Sequence, residues 1–165
     1  MEPSKVMAGL TRETQIRRDA HGRWFNGADP IDHPLLVRAF EGWVDRADDG
    51  RLCLENDINW AYIDIEGPPF FVRGVEGSGD ALRLHLSGEV VEPLDPATLR
   101  QDPDGALYCD VREGRCAARF DNHAATQLVE LAGGEDADGP YIELGGERIR
   151  PPVVAEPLTP PSRSR

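Results

Sequence analysis

The sequence is short of nearly every feature that announces a function at first sight. No apolar run approaches the roughly 20 residues that a helix needs to cross a bilayer. The first twenty residues hold Lys5, Arg12, Arg17 and Arg18 but no apolar core of a secretion signal. Positive charge is scarce, with 18 Lys and Arg against 30 Asp and Glu and a net charge of -12. A generic nucleic-acid binder needs the opposite field to offset phosphate repulsion, and Arg12, Arg17 and Arg18 make only a weak basic cluster. The three cysteines are an odd number and give no disulfide framework. Cys53 and Cys109 lie inside apolar runs, where a buried thiol is the simplest reading. The expectation is an acidic cytoplasmic protein, monomer or homodimer, with neither nucleic acid nor membrane as partner.

The motifs of catalysis are equally thin. The metal-capable side chains are His21, His33, His85, His123, Cys53, Cys109 and Cys116, and no pair has C-x-x-C or H-E-x-x-H spacing. Cys109 and Cys116 would meet across an expected hairpin, with His123 shortly beyond. Ordinary thiols are the preferred reading there, ahead of a redox pair or a zinc site, so no metal and no cofactor is expected. Ser78 and Ser87 stand near glycines, but neither makes G-x-S-x-G. Gly77-Ser78-Gly79 reads as a hairpin tip, and Gly145-Gly146 lacks the strand–loop–helix setting of a phosphate loop. Asp48 and Asp49 read as a turn, Glu55 and Asp57 as a solvated edge, and Asp29 with Asp32 as a turn and a cap.

What is present is a repeated design. Asp32–Gly50 reads as a capped helix followed by a turn into a strand, and Asp121–Gly139 repeats it 89 residues later. In the first copy Asp32 is the expected N-cap, Pro34 falls in the first turn, and Ile31 is placed to pack back on the helix. Leu36, Phe40, Trp43 and Val44, joined by Leu35 and Ala39, recur at helical spacing and mark a buried stripe. Asp48-Asp49-Gly50 is expected to end the helix. In the second copy Asp121 takes the cap, Phe120 the place of Ile31, and Ala124, Ala125, Leu128, Val129 and Ala132 form the stripe.

Strands surround both helices. Arg23-Trp24-Phe25 leads into the Asn26-Gly27 turn, and Leu52-Cys53-Leu54 follows the first helix. Asn59–Glu66 alternates Trp60, Tyr62 and Asp64 with Ala61, Ile63 and Ile65, the period of a strand with one core face. Leu82, Leu84 and Leu86 share a face after the Gly77–Asp80 tip. Leu107–Val111 and Arg115–Arg119 form a hairpin, and Tyr141–Leu144 repeats the position of Leu52–Leu54. Pro93-Leu94-Asp95-Pro96 is the expected boundary. The fold class is α+β, with two related β-rich, half-barrel-like subdomains, each packed on one main helix. The first spans 14–94 and the second 95–154, with flexible ends at 1–13 and 155–165.

These residues carry a family pattern. Gly22-Arg-Trp24-Phe25-x-Gly27-x-x-Pro30-Ile31, Leu36-Val37-x-x-Phe40, Asp49-Gly50-Arg51 and Ile63-Asp64-Ile65-x-x-x-Pro69-Phe70 come in an order that resembles the bacterial family DUF1285. Gly105-x-Leu107-Tyr108, Arg119 and Gln127-Leu128-Val129-Glu130 continue it, so the resemblance spans Ile16 to Ile149. It implies two half-barrel-like domains wrapped on helices, no established enzymatic role, and a suggested part in signalling or ligand binding. Glu55-Asn56-Asp57-Ile58 departs from the pattern, where a Thr-Pro-like segment and more basic residues are usual.

The candidate binding surface comes from the aromatic set of the first half. Trp24, Trp60 and Tyr62 are expected on a concave sheet face, with Arg23, Arg51 or Arg73 supplying polar contacts to an anionic or aromatic ligand. The expected function is a non-enzymatic ligand-binding or protein-interaction module. The alternatives are a small enzyme with a site in the cleft between halves, and a structural domain that self-associates through a sheet edge.

Overall fold

The computed structural model of the chain describes residues 12–79 and 81–159. The elements run β1 (Ile16–Arg18), β2 (Trp24–Asn26), β3 (Asp29–Ile31), α1 (Pro34–Trp43), β4 (Val44–Arg46), β5 (Leu52–Glu55), β6 (Trp60–Tyr62), β7 (Asp64–Ile65), β8 (Phe70–Ser78), β9 (Ala81–Leu86), β10 (Val91–Pro93), β11 (Arg100–Gln101), β12 (Leu107–Val111), β13 (Cys116–Phe120), α2 (Asn122–Ala132), β14 (Gly133–Asp136), β15 (Gly139–Leu144) and β16 (Glu147–Ile149). This is a β-rich α+β protein, and none of its sheets closes into a barrel. Among the described residues no helix is long and apolar enough to cross a membrane.

The chain divides at Pro69/Phe70 into two units. Both contain the same series: three antiparallel strands, a helix, and three more strands in a sheet of their own. In the first unit the series is β1–β3, α1 and β4-β5-β6, and in the second it is β11–β13, α2 and β14-β15-β16. Val44 and Gly133, which begin the strands after the helices, are 89 residues apart.

In the first unit the Asp19 carboxylate accepts the amides of His21 and Arg23 at 2.9 Å each, a side-chain-closed turn that aligns Arg18 with Trp24. The helix starts one step later than expected. Pro34 opens it, His33 holds the N-cap position, and no side chain caps it, so Asp32 is not the cap. The fixed φ of proline and its missing N–H suit the first helical position and place Asp32 outside the first turn.

The helix also ends early, at Trp43, with Val44 already extended. Val44 pairs with Leu54 in the sheet and is fully buried, so it is a strand residue rather than part of the helical stripe. The turn at Asp48-Asp49-Gly50 therefore joins two strands, β4 and β5. Of the expected stripe only Phe40 is buried within α1, while Leu35 is 69% and Leu36 40% exposed.

Polar bonds stitch this small core. Phe40 meets the Trp24 ring edge-on at 5.4 Å. The Trp24 indole donates to Glu41 Oε1 at 3.0 Å, and the buried Arg18 donates to Glu41 Oε2 at 3.1 Å and to the carbonyl of Pro68.

The second unit is built on the sheet β10-β9-β8-β13-β12-β11. Leu82, Leu84 and Leu86 all point into the core, as their alternation predicts. Burying each such side chain is worth about 1.5–3 kcal/mol. Gly77 has φ +115°, and a Cβ there would lie 2.3 Å from the Ala81 carbonyl, so the hairpin requires glycine. The register slips between Val72 and Gly74, and nearby the Gln127 side chain of α2 accepts the Val75 amide at 2.8 Å. Asp121 caps α2 as expected, accepting the Ala124 amide at 2.8 Å, while Ala124 and Leu128 are buried.

Two expectations about segments change. Phe70–Pro93, assigned by sequence to the first half, is hydrogen-bonded into the second unit, because β8 runs parallel to β13 with Phe70 beside Ala118. Alternation identifies a strand but not its partner. Residues 155–159, expected in the flexible end, are held: Arg100 donates to the Pro157 carbonyl from Nε (2.8 Å) and Nη2 (2.6 Å) and pairs with the buried Asp110 at 2.8 Å. At the other end residues 12 and 13 are also bonded (below), and the remaining parts of the expected ends, residues 1–11 and 160–165, lie outside the described residues.

Candidate functional site

The site is built on β6, the outer strand of the β4-β5-β6 sheet. The turn before it is fixed by Asn56, whose side-chain oxygen accepts the amides of Ile58 (2.8 Å) and Asn59 (2.9 Å). This turn pairs Glu55 with Trp60 and Cys53 with Tyr62. Two residues apart on a strand, Trp60 and Tyr62 share a face, and their rings meet edge-on with centroids 5.0 Å apart. Both are half-buried.

The lead-in segment lies along this strand. The Tyr62 amide donates to the Arg12 carbonyl at 2.9 Å, and the Thr14 hydroxyl donates to the Tyr62 carbonyl at 2.6 Å. The Arg12 guanidinium donates to the Trp60 carbonyl at 2.8 Å and to the Asn59 side-chain oxygen, and sits 5.0 Å from the Trp60 ring centroid. Arg51 lies 3.7 Å from the Tyr62 ring centroid. Four planar groups therefore follow one another: Arg12, Trp60, Tyr62, Arg51. Each exposed cation–π contact is worth about 0.5–1 kcal/mol.

Carboxylates orient the Arg51 end. Glu13 receives both Arg51 Nη atoms, at 2.6 and 2.8 Å. Asp49 accepts the Tyr62 hydroxyl at 2.5 Å and the Arg51 amide at 3.1 Å. The hydrogen bond from Arg51 holds the Glu13 carboxyl below its ordinary value, and the Tyr62 hydroxyl followed by the Arg51 amide does the same for Asp49. The bond to Asp49 is also the main reason the Tyr62 phenol is raised, and Glu13 raises Arg51. At the other end the Trp60 Nε1–H is shielded from solvent and finds no hydrogen-bond partner among the described residues. An unmade bond of this kind costs about 1–3 kcal/mol.

No family model matches the sequence, and no curated protein matches it either. Solved structures do. A DUF1285 family protein from Silicibacter pomeroyi DSS-3 superposes with a TM-score of 0.62 at 23% identity, over 89% of this chain and 86% of that one. A DUF1285 family protein from Shewanella baltica OS155 gives a TM-score of 0.52 at 14% identity, over 66% of this chain and 85% of that one. The chain has the DUF1285 fold. The resemblance read from residue order is thus matched by a likeness of architecture.

Within this DUF1285 fold the sequence-selected residues separate. Trp24 is 2% exposed and belongs to the core of the first unit, so it cannot line an open face. Arg23 is exposed and paired with Asp19 at 3.1 Å. Arg73 belongs to β8 of the second unit, 4.8 Å from the Phe71 ring and 3.7 Å from the Asp121 carboxylate. Only Trp60, Tyr62 and Arg51 come together.

Arg12, Glu13 and Asp49 complete the cluster and were missed as site residues. Arg12 was visible as a basic residue and Asp49 as a turn former. Their pairing spans 38 to 48 residues for the lead-in contacts, beyond any local pattern.

Cys109 and Cys116 are both fully buried on the β12–β13 hairpin while His123 is exposed on α2, so the three do not form a metal site. Burial pushes the Cys109 thiol far up, which keeps it protonated and unreactive. Among the described residues no group of three or more His, Cys, Asp or Glu side chains is placed to hold a metal ion.

Proposed function

We propose that the chain is a non-enzymatic protein-interaction module that engages a partner segment through the Trp60–Tyr62 surface. The observation that carries this reading is the half-buried Trp60–Tyr62 pair, flanked by Arg12 and Arg51. Trp, Tyr and Arg are the residue types that dominate binding energy at protein interfaces. Ile58, at the tip of the turn leading into β6, is 78% exposed and adds apolar area beside them.

In this reading the module works in the cytoplasm, where a partner in signalling or regulation would meet it. The three cysteines are buried and too few and odd in number for a disulfide framework, which suits a reducing compartment. The test is selection of peptides from a random display library on the purified chain, followed by affinity measurement by calorimetry. Trp60→Ala is expected to weaken the selected peptides at least ten-fold, a loss of about 1.4 kcal/mol or more, with Val129→Ala as an exposed control. Equal affinities for Trp60→Ala and wild type would refute the reading.

A further inference from the structure

We infer that the Arg51 end of this surface takes a side-chain carboxylate of an acidic peptide, and that Glu13 of the same chain occupies that position as a tethered stand-in. The inference rests on the reading of Trp60–Tyr62 as a partner surface and names the chemistry of that partner.

The geometry supplies the argument. Arg51 presents its planar fork to Glu13 through two bonds of 2.6 and 2.8 Å, the arrangement that suits a carboxylate. The fork is held ready from behind. Its face rests on the Tyr62 ring, and Asp49 ties down both the Tyr62 hydroxyl and the Arg51 amide. The carboxylate, by contrast, arrives from a distant part of the sequence on an exposed segment. The Glu13 side chain is 56% exposed and that of Arg51 48%, so the pair is a surface ion pair. Such pairs are worth no more than about 1 kcal/mol, and a second carboxylate can replace this one at little cost.

The backbone around Glu13 also behaves as a bound peptide would. Arg12 and Thr14 bond to the amide and carbonyl of Tyr62 on the outer side of β6. A partner that adds along a strand edge engages the same outward amide and carbonyl, with its side chains supplying specificity. Arg12–Glu13–Thr14 is therefore an internal sample of the ligand class: a segment beside β6 whose acidic residue accepts from Arg51. A tethered competitor lowers the apparent affinity for a free one by the fraction of time it leaves the site open.

The test uses the full chain and a dansyl-labelled peptide copying residues 10–16, LTRETQI, amidated so that its glutamate is its only carboxylate. Anisotropy titrations compare wild type, Glu13→Gln, and Glu13→Gln combined with Arg51→Gln. Glu13→Gln is expected to tighten binding about three- to five-fold, the size of a lost surface pair. Adding Arg51→Gln is expected to abolish the gain, and so is exchanging the peptide's Glu for Gln. Equal affinity in wild type and Glu13→Gln, or a gain that survives loss of Arg51, would overturn the inference. Peptides that depend on Trp60 yet show no preference for acidic residues would also overturn it while leaving the partner-surface reading intact. Loss of Trp60 dependence with the Glu13–Arg51 competition retained would do the reverse.

Discussion

The two helix–strand modules follow one plan and solve burial differently. In the second, α2 is capped by Asp121 and buries Ala124 and Leu128. In the first, α1 has no side-chain cap, buries only Phe40, and leaves Leu35 and Leu36 exposed. The second module closes its helix directly onto its strand through glycine: a Cβ at Gly133 would lie 2.6 Å from the Val129 carbonyl. The first places the buried Val44 at the same position.

Each unit also buries an arginine. Arg100 of the second is matched by an almost fully buried carboxylate, Asp110, whereas Arg18 of the first shares the more open Glu41 with Trp24. One plan can thus serve as a densely packed module and as a lightly packed one, and the lightly packed one carries the aromatic–arginine surface.

Four tests, three of them paired substitutions, would break or sharpen this contrast. The largest effect is expected from Asp110→Ala, which strips the buried Arg100 of its counter-charge and should cost about 3–5 kcal/mol in urea unfolding. Glu41→Ala in the first unit should cost less, because its carboxylate already reaches solvent. Next, Leu128→Ala should cost about 2–5 kcal/mol, whereas Leu36→Ala should stay within about 0.5 kcal/mol. Equal losses at these two positions would mean that α1 is covered as fully as α2. Third, Asp121→Ala should cost about 1 kcal/mol through loss of the cap, and Asp32→Ala close to nothing.

The smallest effect concerns acid. Asp136 accepts bonds from Arg150, the Asp138 amide and Arg148, which lower its carboxyl from 3.8 to about 2. A carboxyl depressed in the folded state contributes stability above its unfolded value, and that contribution disappears as pH falls through the folded value. Asp136→Asn should therefore flatten part of the stability loss between about pH 4 and pH 2, read by thermal melts across that window. A melt profile in this window identical to wild type would show that the exposed pair contributes nothing there.

The second unit carries a surface cluster of similar composition. Arg148 lies 4.6 Å and Arg150 5.5 Å from the Tyr141 ring centroid, and both arginines pair with Asp136. Here the carboxylate comes from the same three-stranded sheet. In the first unit Glu13 comes from a segment that precedes the whole series, which is why that pair, rather than this one, has the character of a replaceable ligand.

Local chemistry made much of this legible in advance. Asn26-Gly27 is a turn because its side chain and conformational freedom close the backbone within a few residues. Leu82, Leu84 and Leu86 face one way because a strand has a period of two. The 89-residue echo of helix and strand was visible because the same local signals recur in the same order. The misreadings share a cause. Val44 continues the helical stripe in sequence but is taken by pairing with Leu54, and Phe70–Pro93 follows the first series in the chain but pairs with β13. Among the site residues Trp60 and Tyr62 were readable from alternation, while Trp24 looked the same and is core.

By itself the sequence determined the elements, their turns, the duplicated order and the acidic character of the chain, because each depends on interactions among near neighbours or on composition alone. Tertiary structure decided which strands share a sheet, which arginines are buried and matched, and which aromatic rings remain at the surface. Those outcomes depend on groups tens of residues apart competing for the same hydrogen bonds and the same core volume, as Arg12, Glu13 and Thr14 do when they reach Trp60, Arg51 and Tyr62.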